Sequence, residues 1–138
     1  MIIDVNVIIS ALIKNGKSRE LLIDSPFTLY SPETLMNSLR KYEDLIIEKS
    51  GLSKEDFETL LNLLIENITI VERGDYKSYL EEAHKILGNV DIEDVPNIAL
   101  SLSMVNDGIW SDDKHFQQQK KIRIWKTADI IKAIEKSD

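Results

Sequence analysis

The sequence contains no cysteine. Disulfide bonds and thiolate zinc sites are therefore excluded, and this composition fits a cytoplasmic protein. No apolar run approaches the roughly 20 residues that a transmembrane helix needs, and the short apolar start lacks the basic leader of a signal peptide. We therefore expect a protein of the cytoplasm that has no membrane partner.

Glycine is also scarce, and acidic residues outnumber basic ones. With five glycines in 138 residues, the chain has no glycine-rich loop to cradle phosphates, so nucleotide binding is not indicated. The 17 Lys and Arg against 24 Asp and Glu give a net charge of −7. A simple binder of the nucleic-acid backbone would be basic. Either the partner is not a nucleic acid, or the acidic groups gather at a metal site with basic groups beside it.

Short apolar runs alternate with amphipathic segments along the whole chain. The runs predict strands at residues 1–4, 27–30, 68–71, 109–111 and 122–125. Helices are predicted at residues 6–13, 18–24, 31–50, 53–67, 76–87 and 94–106, and a last one begins at Thr127. This alternation predicts an α/β fold, a three-layer sandwich with a central, mostly parallel sheet flanked by helices. Without a linker, residues 1–138 should form a single domain.

Aspartates stand where predicted strands end and predicted helices begin. Asp4 follows the first strand, Asp94 opens a helix shortly after Asp91, and Asp112 and Asp113 follow another strand. The carboxyl ends of parallel strands share one edge of a sheet, so these carboxylates should meet there. A cation would offset their repulsion, and oxygen ligands suit Mg²⁺ or Mn²⁺. The alternative is that these residues only cap helices or form a turn.

Three short motifs in this order resemble the PIN domain, a metal-dependent ribonuclease fold widespread in toxin–antitoxin systems and in RNA processing. Residues 3–10, IDVNVIIS, are similar to the first family motif. Residues 94–102, DVPNIALSL, resemble the third motif, and residues 110–116, WSDDKHF, resemble the fourth. The resemblance covers about residues 1–136, which is almost the whole chain.

The resemblance implies a role for several residues. The catalytic and metal-binding set would be Asp4, Asp94 and Asp113, supported by Asn6, Ser10 and Ser111. A cation held by carboxylates with open positions can activate water and clamp a phosphodiester. The implied protein is a metal-dependent endoribonuclease that hydrolyses RNA phosphodiesters with Mg²⁺ or Mn²⁺, either as the toxin of a toxin–antitoxin pair or as an RNA-processing nuclease.

The second family motif is where this chain departs from the pattern. The family normally carries a Glu about six residues after the proline of the Ser-Pro-Glu turn, and this chain has Ser38 there. Glu33 and Glu43 should not project onto the same spot at about 100° per residue. Asp91 or Asp112 would have to compensate. The departure favours an alternative, a catalytically weakened PIN-like module that binds RNA or protein.

A second alternative is a phosphatase of the haloacid-dehalogenase type, which also begins with a strand and an Asp. It needs a second Asp two residues later, where this chain has Asn6, and a lysine that we cannot place. Neither histidine has metal-site spacing, so His115 is interpreted as a surface residue and His84 as an ordinary helix residue.

Partners follow from the resemblance and from the surface pattern. RNA is the expected substrate, with an antitoxin protein as a candidate partner. Basic residues that could meet RNA phosphates are Lys14, Lys17, Arg19, Lys114, Lys120, Lys121 and Arg123. The helix at 53–66 carries more apolar side chains than one core-facing stripe needs, which predicts a homodimer.

Overall fold

Five short strands form one sheet in the computed structural model, which describes residues 1–87 and 92–137. The strands are β1 Ile2–Ile3, β2 Leu29–Pro32, β3 Ile68–Val71, β4 Ile109–Trp110 and β5 Ile124–Trp125. They are ordered β3-β2-β1-β4-β5, and each neighbouring pair is parallel. β1 therefore lies in the middle of the sheet, and its carboxyl end lies between those of β2 and β4.

Helices connect the strands. The α-helices of the described residues are α1 Val5–Ile13, α2 Lys17–Ile23, α3 Thr34–Lys41, α4 Glu43–Ser50, α5 Lys54–Ile65, α6 Arg73–Tyr76, α7 Leu80–Leu87, α8 Val95–Ser103 and α9 Thr127–Ser137. Short 3-10 turns cover Lys77–Tyr79, Ile92–Asp94 and Lys114–Gln118. None of the described helices is long and apolar enough to cross a membrane.

The central strand β1 separates two hydrophobic cores. Ile2 and Ile3 are both fully buried, and consecutive residues of a strand point to opposite faces of its sheet. Ile3 packs into a core built with α1 to α5 and α9, whereas Ile2 packs into a second core built with α6, α7 and α8. The three-layer α/β sandwich with a parallel sheet is confirmed.

The predicted helix from residue 31 to 50 is wrong in two respects. Ser31 and Pro32 are buried at the end of β2, where they pair in register with Ile70 and Val71 of β3. The pairing with β3 therefore overrides the helix-start pattern of Ser-Pro-Glu. The helical segment is also interrupted at Tyr42, between α3 and α4.

The predicted helix over 94–106 ends earlier, at Ser103. The side-chain amide of Asn106 donates to the carbonyls of Ser101 and Met104, both at 2.8 Å, so it replaces the next turn of the helix. Val105, which lies beyond the end of this helix, is fully exposed.

The helix predicted to carry a dimer surface is largely covered within the chain. Its six large apolar residues are the buried Phe57, Leu61 and Leu64, the half-buried Leu60 and Ile65, and the exposed Leu63. Less apolar surface is left over than the sequence pattern indicates.

Candidate active site

Asp4 is a fully buried carboxylate between β1 and α1. Its backbone N–H donates to the carbonyl of Trp110 at 3.0 Å, which fixes it against the end of β4. The Ser111 hydroxyl donates to Asp4 Oδ2 at 2.8 Å. Asp4 Oδ1 is buried and has no hydrogen-bond partner among the described residues. Within residues 1–87, the side chain makes no well-aligned capping hydrogen bond to α1, although the backbone N–H groups of Asn6 and Val5 lower its pKa.

Ser111 connects Asp4 to Asp113 across two neighbouring strand ends. It is buried directly after β4, and its hydroxyl oxygen accepts a hydrogen bond from the Asp113 backbone N–H at 3.0 Å. Asn6 donates from Nδ2 to Asp113 Oδ2 at 3.4 Å. Asp113 Oδ1 in turn accepts the backbone N–H of His115 at 2.9 Å. One hydrogen-bonded chain therefore links the carboxyl ends of β1 and β4.

Asp94 and His115 complete a cluster with Asp113. The buried Asp94 precedes α8, and each of the three residues offers a ligand atom within 4.8 Å of the other two. His115 Nδ1 lies 3.5 Å from Asp113 Oδ1 and 3.8 Å from Asp94 Oδ2. This arrangement is a possible metal-binding cluster at the sheet edge where the sequence predicts one.

The environment of Asp4 disfavours its charged form. Burial raises the pKa of Asp4 from 3.8 to about 6, although the Ser111 hydrogen bond opposes this shift. The nearby charge of Asp113 raises the pKa further. A cation that approached Asp4 Oδ1 would reverse this balance, because an opposite charge stabilises the ionised carboxylate.

The remaining residues named from the sequence have different surroundings. Asp112 accepts two hydrogen bonds from Thr127, one from the backbone N–H at 2.9 Å and one from the hydroxyl at 2.7 Å, so both of its oxygens hold the start of α9. The idea that Asp112 compensates for the missing Glu is therefore weakened. Ser10 is exposed and lines a surface depression together with Asn6 and Asp113. Asp91 lies outside the described residues.

Family comparison agrees with this geometry. A family model described as PIN domain matches residues 2–134. The chain belongs to the PIN domain family. No curated protein matches this chain. PIN domains are typically metal-dependent nucleases, and membership in this family disfavours the haloacid-dehalogenase alternative.

The missing PIN-domain Glu maps to a small pocket beside the cluster. Ser38 from α3 lines this pocket of about 100 Å³ together with Asn6, Glu93 and Asp94. Lys41, one turn further along α3, pairs with Glu93 at 3.0 Å. Ser38 and Asp94 therefore face the same space, as the sequence-based hypothesis for Ser38 requires.

The donors at this site fit a hard divalent cation. Asp94 and Asp113 of the cluster, and Asp4 linked to Asp113 through Ser111, carry carboxylate oxygens, which are the ligands that Mg²⁺ and Mn²⁺ prefer. The buried Asp4 Oδ1 has no hydrogen-bond partner in the described part of the chain, and an unpaired buried oxygen is costly unless something binds it.

His115 is the residue that sequence reasoning missed. Spacing between the two histidines gave no metal signal, because the partners of His115 are aspartates, one of them 21 positions away. A weak signal was present: His115 follows the predicted ligand Asp113 by two residues, close enough to share its turn.

Several of the basic residues proposed to meet RNA are already used. Arg19 donates to the carbonyls of Ala11 and Leu12 at the end of α1. Lys121 pairs with Glu82 at 2.6 Å, and the Arg123 guanidinium lies 3.7 Å from the centre of the Trp125 ring. These interactions hold the side chains of Arg19, Lys121 and Arg123 in place. They therefore reduce the availability of these three side chains for RNA phosphates.

Proposed function

We propose that this PIN domain is a metal-dependent endoribonuclease that hydrolyses RNA phosphodiesters with Mg²⁺ or Mn²⁺. One observation carries the proposal: the buried Asp4 is joined through Ser111 to Asp113, whose carboxylate clusters with Asp94. Asp4, Asp94 and Asp113 would hold the cation. When bound, the cation would supply a water of lowered pKa and charge compensation for the phosphodiester.

The other residues near the cluster would hold these carboxylates in place. Ser111 fixes Asp4 Oδ2 and the backbone of Asp113 with a single hydroxyl. Asn6 orients the second oxygen of Asp113. Outer partners of this kind set ligand orientation, and losing one typically lowers metal affinity or activity about 10–100-fold.

A second candidate is a PIN-like module that binds RNA or protein without cleaving. Ser38 favours it, because a hydroxyl contributes no negative charge where the family places a carboxylate. Fewer anionic ligands weaken cation binding.

Cleavage of single-stranded RNA by the purified protein tests the proposal. We expect cleavage with Mn²⁺ or Mg²⁺, none with EDTA, and no hydrolysis of a general phosphatase substrate. Asp113→Asn should reduce cleavage by at least about 100-fold, since a direct ligand should matter more than an outer partner. Asp24→Asn, which changes an exposed acid at the end of α2, is the matched control. RNA binding without cleavage under all these conditions would favour the binding module.

The cellular role is a further part of this proposal. We expect RNA as the substrate, a cytoplasmic location and, if the protein is a toxin, an antitoxin partner. A small DNA-binding protein encoded beside this one would favour the toxin role, and its absence would favour RNA processing.

A further inference from the structure

The imidazole of His115 lies near two carboxylates, at distances close to those between ligands of a shared cation. Two ligands of one ion with bonds of about 2.1 Å lie roughly 3–3.5 Å apart in octahedral or tetrahedral geometry. His115 Nδ1 lies 3.5 Å from Asp113 Oδ1 and 3.8 Å from Asp94 Oδ2. The distance to Asp113 Oδ1 is at the top of this range and the distance to Asp94 Oδ2 is just above it, and ligand atoms of all three residues lie within 4.8 Å of one another.

The backbone positions this imidazole. The His115 N–H donates to Asp113 Oδ1 at 2.9 Å, within the 3-10 turn Lys114–Gln118. The next residue, Phe116, is fully buried and anchors that turn in the second core. The His115 side chain itself is half exposed, so the ring can reach an ion without disturbing the core.

A second observation at the same strand ends points to a cation. Asp4 is fully buried, and its Oδ1 accepts no hydrogen bond from residues 1–87 or 92–137. Its other oxygen is tied through Ser111 to Asp113, one of the carboxylates beside His115.

We propose that His115 is a metal ligand, and that the site therefore prefers a divalent first-row transition ion to Mg²⁺. This inference rests on the metal site of the proposed function. Imidazole nitrogen binds transition ions well, whereas Mg²⁺ prefers oxygen ligands in near-ideal octahedral geometry. The imidazole adds a donor to a site that lacks the family Glu at Ser38, but it adds no negative charge.

Calorimetric titration of the metal-free protein with Co²⁺ and with Mg²⁺ tests the inference. His115→Ala should weaken Co²⁺ binding about tenfold or more, and Mg²⁺ binding less than about threefold. His84→Ala removes the only other histidine, an exposed residue of α7, and should change neither affinity. In spectra of ¹⁵N-labelled histidine, Zn²⁺ should shift the ring signal of His115 before that of His84.

The outcomes separate this inference from the proposed function. Equal Co²⁺ affinity in the native protein and His115→Ala, with weakened binding in Asp113→Asn, would overturn the histidine ligand and leave the nuclease proposal standing. Absence of any metal binding by the native protein would overturn both. Parallel loss of Co²⁺ and Mg²⁺ affinity in His115→Ala would overturn the selectivity and indicate a positioning role instead.

Discussion

Asp4 shows at the level of one residue how a functional site opposes stability. Its carboxylate is fully buried, and its pKa is raised to about 6 by that burial and by the nearby charge of Asp113. The folded protein therefore holds this proton more tightly than the unfolded chain does. Well below pH 3.8 both states are protonated and the residue costs nothing; as pH rises towards 6 the unfolded chain ionises first and stability falls.

Asp4→Asn should therefore stabilise the metal-free protein at pH 8, and should stabilise it much less at pH 4, close to the unfolded pKa of 3.8. The gain at pH 8 should be on the order of 1–3 kcal/mol, the free-energy equivalent of the pKa shift. Urea unfolding in EDTA at the two pH values measures it, with Asp24→Asn as the exposed control. A less stable Asp4→Asn at pH 8 would mean that the ionised carboxylate makes a contact that an amide cannot replace. RNA cleavage should be lost in either case.

A single substitution at Ser38 should strengthen metal binding. Its side chain lines the pocket that Asp94 also lines, so Ser38→Glu should bring a fourth carboxylate towards the cluster. We expect Mn²⁺ affinity to rise roughly tenfold, because affinity depends on ligand charge. The added charge should lower stability without metal, and metal should remove that loss.

Calorimetry of Ser38→Glu beside Asn37→Glu makes this prediction specific. Asn37 is exposed and lies about 100° around the same helix, so its Glu adds equal charge without facing the pocket. Equal Mn²⁺ affinity in the two variants would show that Ser38 does not occupy the place of the family Glu.

At the level of secondary structure, Gly108 determines how closely β4 and β5 approach. Its φ of +120° is a conformation that side chains rarely adopt, and an added Cβ would lie 2.3 Å from the Arg123 carbonyl oxygen. That carbonyl accepts the Ile109 N–H at 2.9 Å, and the Gly108 carbonyl accepts the Ile2 N–H at 2.9 Å. One glycine therefore lies where three strands are joined.

Gly108→Ala should lower the free energy of unfolding by about 2 kcal/mol or more, through backbone strain and displacement of β5. Gly74→Ala is the contrasting variant, because nothing lies within 4 Å of the added Cβ and the residue is helical. It should be neutral or stabilising by up to about 1 kcal/mol. Urea unfolding of both proteins provides the comparison, and similar losses would indicate that the Arg123 contact is unimportant.

For the whole molecule, the order of the strands explains why distant residues form one site. β1 lies between β2 and β4, so Asp4 and Asp113 meet although 109 positions separate them in the chain. Asp94 lies directly before α8, which packs against β1, β2 and β4. Acidic groups thus gather at one sheet edge of a protein whose net charge is −7.

The formation of a homodimer by the whole molecule remains a prediction. The dimer was predicted from the apolar side chains of α5. Of these, Leu63 is the exposed one, with 43% of its surface accessible. Light scattering at high micromolar concentration should show a dimer, and Leu63→Arg should shift it to monomer because a charge would be buried. Val105→Arg, at a fully exposed valine after α8, should have no effect. A native protein that is only monomeric would contradict the prediction.

Local patterns were sufficient to predict the layers and two aspartates of the candidate metal-binding cluster. The apolar runs predicted the strands, because a β-branched run such as residues 68–71 has few other stable conformations. Asp4 and Asp113 were predictable because Asp4 ends the first apolar run and Asp113 lies two residues after the run at 109–111, and parallel strands bring these positions to one edge. Glycine and proline patterns were less reliable, as the Ser31-Pro32 pair in β2 shows.

Contacts between distant segments decided the conformation and the side-chain partners that local patterns did not predict. Ser31 and Pro32 became strand residues because β3, some 40 positions away, pairs with them. Asp112 turned to Thr127 rather than to the metal-binding cluster because α9 begins beside it. His115 reached Asp94 through the packing of α8 against the sheet, and no spacing in the chain encodes that proximity. The periodicity of a sequence reports which face of an element is buried, whereas the partners of a side chain depend on how the elements pack.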